Sequence, residues 1–152
     1  MDVNRWLYFV PLIVVIVMGT WLSIIDLRTH RLPNKLLALT MLLLMPSFVF
    51  CVAPLTTLKF AIIYVLLYFA LYFASHQQLG MGDVKYAGVL GIAVGMYTND
   101  LTTLVMNTFL GAGIVVGILL ALNRVHLKSH IAFGPIMTVG AIYTIALALK
   151  NV

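Results

Sequence analysis

Apolar residues along this chain gather into six long runs separated by short polar connections. The runs are approximately Trp6–Ile25, Leu36–Ala53, Leu58–Ala74, Val84–Tyr97, Leu101–Leu122 and Ile131–Leu149. Most approach the roughly 20 residues that carry a helix across about 30 Å of hydrocarbon. The pattern predicts an all-α polytopic membrane protein: a bundle of six transmembrane helices forming a single membrane-embedded domain over residues 1–152. No internal repeat, linker or low-complexity tract interrupts it. The first run exceeds the apolar stretch of a signal peptide, and no small-residue cleavage site precedes Asp26, so it is expected to be retained.

The fourth run differs from the others. Val84–Tyr97 is 14 residues, about 21 Å as a helix and short of the hydrocarbon thickness. To span, it must draw part of the preceding Gly80-Met81-Gly82-Asp83 inward, or the bilayer must thin locally. Counting in fours from Asp83 gives Ala87, Gly91 and Gly95 on one face, a small-residue stripe against which another helix can pack closely. Gly19, Ser23 and Asp26 form a weaker stripe on the first helix. Small-residue stripes alone are packing seams; these two end in acids.

Composition narrows the class. With 63% hydrophobic and 9% charged residues, the chain would expose large apolar patches as a soluble domain. The net charge of +5 comes from nine basic residues scattered singly between the apolar runs. That distribution fits anchoring at a lipid bilayer and does not point to nucleic acid. The single Cys51 can make no intramolecular disulfide and no multi-cysteine zinc site. It reads as a small apolar helix residue.

The basic residues also orient the bundle. Arg28, Arg31, Lys35, Lys85, Arg124 and Lys128 fall on one side, and Arg5, Lys59 and Lys150 on the other. By the positive-inside rule the richer side is cytoplasmic and both termini lie outside. Trp6 and Tyr97, near segment ends, fit interfacial anchoring.

Four aspartates, Asp2, Asp26, Asp83 and Asp100, make up the whole acidic inventory, and there is no glutamate. Ionisable groups at membrane depth are costly and mark function. Asp26 and Asp83 both fall at the predicted cytoplasmic boundary, whereas Asp2 and Asp100 read as polar ends on the outer side.

Three motifs carry a family resemblance. Gly80-Met81-Gly82-Asp83-Val84-Lys85 resembles the GxGDxK signature of the type IV prepilin peptidases, membrane aspartic proteases of the GxGD class. Asp26 to Asn34, with Pro33-Asn34 at its end, resembles the family's first aspartate and the Pro-Asn turn after it. Ala132-Phe133-Gly134-Pro135, ahead of Gly140, is similar to the segment that opens the family's last helix. The resemblance implies cleavage of type IV pilin-like or pseudopilin precursors at the cytoplasmic face of the cell membrane, between a short basic leader and the hydrophobic segment. Large bacterial members also carry a cytoplasmic loop with a four-cysteine zinc motif and an N-methyltransferase activity. This sequence resembles instead the short, peptidase-only members, such as those of tight-adherence pilus systems or the archaeal preflagellin peptidases.

Two carboxylates suit that chemistry. One ionised carboxylate activates water while a protonated partner polarises the scissile carbonyl, a division that close carboxyl groups adopt because both do not ionise easily. Asp26 and Asp83 are the expected dyad, with no cofactor and no metal. Asp83 precedes helix four, whose N-terminal dipole favours negative charge; Asp26 follows helix one, whose C-terminal end disfavours it. This contrast makes Asp83 the expected base and Asp26 the expected acid.

Supporting roles follow from position. Lys85 is two residues from Asp83, a spacing that does not bring helical side chains face to face, so no direct ion pair is expected, and snorkelling to lipid phosphates is expected over a catalytic role. Gly80 and Gly82 permit close backbone approach. Pro33 and Asn34 shape the turn into helix two. Gly134 and Pro135 open the last helix. His30, His76, His126 and His130 fall singly in the loops and read as solvated; His126 and His130, four apart, lack further ligands for zinc. Two other classes remain open: a small transporter or proton relay using the same aspartates, and a non-catalytic scaffold. A transporter of this kind commonly shows internal repeats and broken helices at mid-membrane, whereas here no repeat is found and the acids lie at one face.

Overall fold

Six helices follow one another in a computed structural model that describes residues 3–29, 31–75, 79–121 and 133–150. They are α1 (Val3–Thr29), α2 (Asn34–Val49), α3 (Pro54–Ala74), α4 (Met81–Gly95), α5 (Leu101–Ala121) and α6 (Gly134–Lys150). Asp2, His30, His76, Arg124, His126, Lys128 and His130 lie outside the described residues.

Each apolar run became a helix, and the differences lie at the ends. α1 continues past Asp26 because nothing between Ile25 and Thr29 breaks a helix; the Thr29 hydroxyl donates back to Ile25 O at 2.9 Å. Asp26 is therefore inside the last turn of α1, not beyond it. At α3, Pro54 takes the first helical position, where its missing N–H costs nothing, and the Thr57 amide donates to Ala53 O at 3.0 Å. The helix starts four residues before the apolar run does, since the polar Thr56 and Thr57 are helical. Likewise α4 includes Met81, Gly82 and Asp83, which lengthens the short fourth run at its N-terminal end.

α4 is the centre of the bundle. Eleven of its fifteen residues are buried, and it packs against α3, α2, α6 and α1. Its small-residue stripe docks on α3. A Cβ placed on Gly91 would lie 2.8 Å from Ala61 Cα, and the Gly95 carbonyl accepts from the Thr57 hydroxyl at 2.9 Å. The stripe on α1 docks on α6: a Cβ on Gly19 would lie 2.7 Å from Thr138 Cγ2, and the Ser23 and Thr138 hydroxyls are 2.9 Å apart.

The outer faces are apolar. α1 presents Ile13, Val17, Trp21 and Ile24 outward, and α3 presents Ile62, Ile63, Leu66 and Phe69. Two stretches, Phe9–Thr29 and Pro54–Ala74, are each long and apolar enough to cross a membrane.

Candidate active site

The three sequence motifs meet at one end of the bundle. Asp26 comes from the last turn of α1, Asp83 from the first turn of α4, and Gly134 is the first residue of α6. Both carboxyl groups are buried, Asp26 at 5% exposure and Asp83 at 8%. Each lies close enough for its charge to act on the other.

Backbone amides hold both acids. The Gly134 N–H donates to Asp26 Oδ2 at 2.9 Å, across 108 positions of sequence. This contact depends on glycine, because a Cβ there would sit 2.8 Å from the same oxygen. Pro135 fits behind it, in a turn whose N–H groups have no helical partner. On α4 the Gly80 N–H donates to Asp83 Oδ2 at 3.3 Å, while the Asp83 N–H donates to Gly80 O at 3.0 Å. Asp83 thus reaches back over its own helix start as in one half of a capping box.

This geometry removes the contrast drawn from helix ends. Asp83 faces the N-terminus of its own helix, and Asp26, although at the C-terminal end of α1, faces the N-terminus of α6. Both acids receive an N–H from a positive helix end. α6, arriving from later in the chain, supplies beside Asp26 a helix N-terminus that the contrast between α1 and α4 did not include.

The remaining motif residues brace this end. Gly82 backs onto the loop between α1 and α2, where an added Cβ would lie 3.0 Å from Leu32 Cβ. Pro33 carries the carbonyl that accepts the Leu36 and Leu37 amides at the start of α2, at 3.1 and 3.2 Å. The Lys85 ammonium donates to Asn34 Oδ1 at 3.0 Å on the exposed surface. It joins the two motifs instead of extending alone toward lipid. Beside this link an open apolar groove of about 550 Å³ runs between α2, α3 and α4, lined by Leu37, Met41, Ile62, Val65 and Gly88.

Sequence reasoning missed a set of buried hydroxyls. Tyr86 and Thr138 are both buried, and their hydroxyl oxygens lie 2.7 Å apart. Tyr68 lies within electrostatic reach of Asp83, and Tyr86 of Asp26. The Phe133 ring meets Tyr68 edge-on, centroids 6.4 Å apart. Tyr64 and Tyr68, four apart on a helix, were the one available signal; Thr138 offered none. Among the described residues no group of three or more His, Cys, Asp or Glu could hold a metal ion.

A family model described as the type IV leader peptidase family matches residues 13–122. The chain belongs to that family. The matched span contains Asp26, Pro33, Asn34 and the stretch from Gly80 to Lys85, and it ends before Gly134. Contact between Gly134 and Asp26 therefore ties a segment outside the matched span into this leader peptidase's acidic end. No curated protein and no solved structure matches the chain.

Proposed function

We propose that this leader peptidase is an aspartic endopeptidase of the cytoplasmic membrane. It removes the short basic leader of a type IV pilin-like or pseudopilin precursor at the cytoplasmic face, using Asp26 and Asp83 as a dyad. One observation carries the reading: two of the chain's four acids, remote in sequence, are buried at one end of the bundle within electrostatic reach of one another, each held by a backbone N–H. Burying carboxyl groups in an apolar bundle is expensive and persists where function requires it.

The chemistry follows from the pair. One carboxylate takes a proton from water as the water attacks the scissile carbonyl carbon, and the partner carboxyl donates a hydrogen bond to the carbonyl oxygen. The tetrahedral intermediate then collapses, and a dyad proton passes to the departing amine. Both acids face helix N-termini, so neither is singled out as the base, and the dyad titrates as a coupled pair. This route requires neither metal nor cofactor. Gly134 and Gly80 position the carboxylates, Pro135 follows Gly134 in the first turn of α6, and Gly82, Pro33, Asn34 and Lys85 fix the surrounding loop.

Membrane placement rests on the outward apolar faces of α1 and α3. All six helices cross within one peptidase domain, with both termini outside. The side richer in Arg and Lys, which includes Arg28, Arg31, Lys35 and Lys85, faces the cytoplasm. In membranes carrying the protein and a co-expressed pilin-like precursor, the precursor is shortened. Asp26→Asn and Asp83→Asn each abolish shortening while the protein stays inserted; normal processing by either variant overturns the dyad.

A further inference from the structure

One turn behind the acidic pair, three helices meet at a single hydroxyl. Thr138 Oγ1 donates to Gly134 O at 2.8 Å, and the hydroxyls of Tyr86 and Ser23 lie 2.7 and 2.9 Å from it. A hydroxyl offers one hydrogen and two lone pairs. Its single hydrogen goes to a backbone carbonyl, Gly134 O or the more distant Gly19 O at 3.5 Å, an assignment that leaves its two lone pairs to Tyr86 and Ser23. All three side chains are buried, with Tyr86 at 0% exposure, so none of these bonds is exchanged for water. Gly19 leaves the space: a Cβ there would lie 2.7 Å from Thr138 Cγ2 and 3.0 Å from the Tyr86 hydroxyl.

The placement matches the site residue for residue. Ser23 lies three positions before Asp26 on α1, Tyr86 three after Asp83 on α4, and Thr138 four after Gly134 on α6. Each is on the helical turn next to the group it accompanies. The three helices that deliver the two acids and the supporting amide are thus pinned together one turn away.

We propose that Thr138, with Tyr86 and Ser23, is a positioning centre that sets the mutual register of α1, α4 and α6 and so aligns Asp26, Asp83 and the Gly134 N–H for precursor cleavage. The proposal rests on the dyad reading. Misalignment of reacting groups by about 1 Å costs on the order of 100-fold in rate. Loss of the hub is therefore read in turnover and not in precursor binding.

The test measures kcat and KM for cleavage of a pilin-like precursor by the full chain in detergent or vesicles, normalised to folded protein. Thr138→Val keeps the shape and removes the hydroxyl; its kcat falls roughly 10- to 100-fold with KM within about twofold. Thr138→Ser recovers most of the loss. Tyr86→Phe, which keeps the ring, lowers kcat in the same direction and displaces the pH–rate profile. Combined with Thr138→Val it adds little, because the two act through one contact. A role confined to folding changes the amount of folded protein and leaves kcat per folded molecule, KM and the profile untouched. If Thr138→Val does not fold, Tyr86→Phe alone decides. Wild-type kcat and profile in the folded variants overturn the positioning centre while Asp26→Asn stays inactive; an active Asp26→Asn overturns the dyad itself.

Discussion

A single methyl group at position 134 has no room. Built onto the backbone, it lies 2.8 Å from Asp26 Oδ2 and 3.3 Å from Asp26 Cβ, well inside ordinary contact. Gly134→Ala displaces either the carboxylate or the start of α6, and precursor cleavage falls by at least about 10-fold while the protein remains inserted. A gel assay of precursor shortening reads this directly. Asp100 behaves differently. Asp100 accepts from the Thr103 amide at 3.2 Å and from the Thr103 hydroxyl, closing the first turn of α5. These bonds hold its pKa below the ordinary carboxylate value of 3.8. A depressed folded value means that the cap stabilises the fold above that range and loses its effect as pH falls through it. Asp100→Ala therefore lowers the melting temperature slightly at pH 7, and the gap from wild type closes as pH falls through the depressed range of this carboxyl. Asp100 could be seen in the sequence as a polar end, but not as a cap, since its partner appears only once the start of α5 is known.

Helix faces were the most legible level. The stripe of Ala87, Gly91 and Gly95 repeats in fours, so geometry alone placed those residues on one face, and α3 now occupies it. Gly91→Val tests the seam. The position already brings the Ala61 backbone to 2.8 Å from a built Cβ, so the larger side chain forces α3 outward and costs about 1–3 kcal/mol. Thermal unfolding in detergent registers the loss. Helix starts were less legible because polar residues at a helix end resemble loop. Thr57 illustrates this: its hydroxyl is spent on the Gly95 carbonyl across the seam, a partner 38 positions away that no local pattern announces. Thr138 went unnoticed for the same reason. A threonine in an apolar run reads as filler until the neighbouring helices are placed around it.

At the level of the molecule, order along the chain revealed that three motifs exist, and packing revealed how they join. Asp26 and Asp83 were paired by the motif resemblance together with their shared side. The Lys85–Asn34 bond and the Gly134–Asp26 bond were not, because both depend on helices that meet only in the assembled bundle. The proposed orientation has its own check in the lone Cys51, half-buried in the connection between α2 and α3. With both termini outside, this connection is external. A membrane-impermeant maleimide then labels Cys51 in intact cells, whereas a cysteine placed at Arg31 in a Cys51→Ser background is labelled only after the membrane is opened; the reverse pattern inverts the topology. The hydrogen bond from Gly134 to Asp26 has one further consequence, for biogenesis. The amide that holds the first acid lies 108 positions downstream of it, so a nascent chain can carry both acids and still lack this contact. If the two acids are the proposed dyad, proteolytic competence waits for α6 to pack against α1.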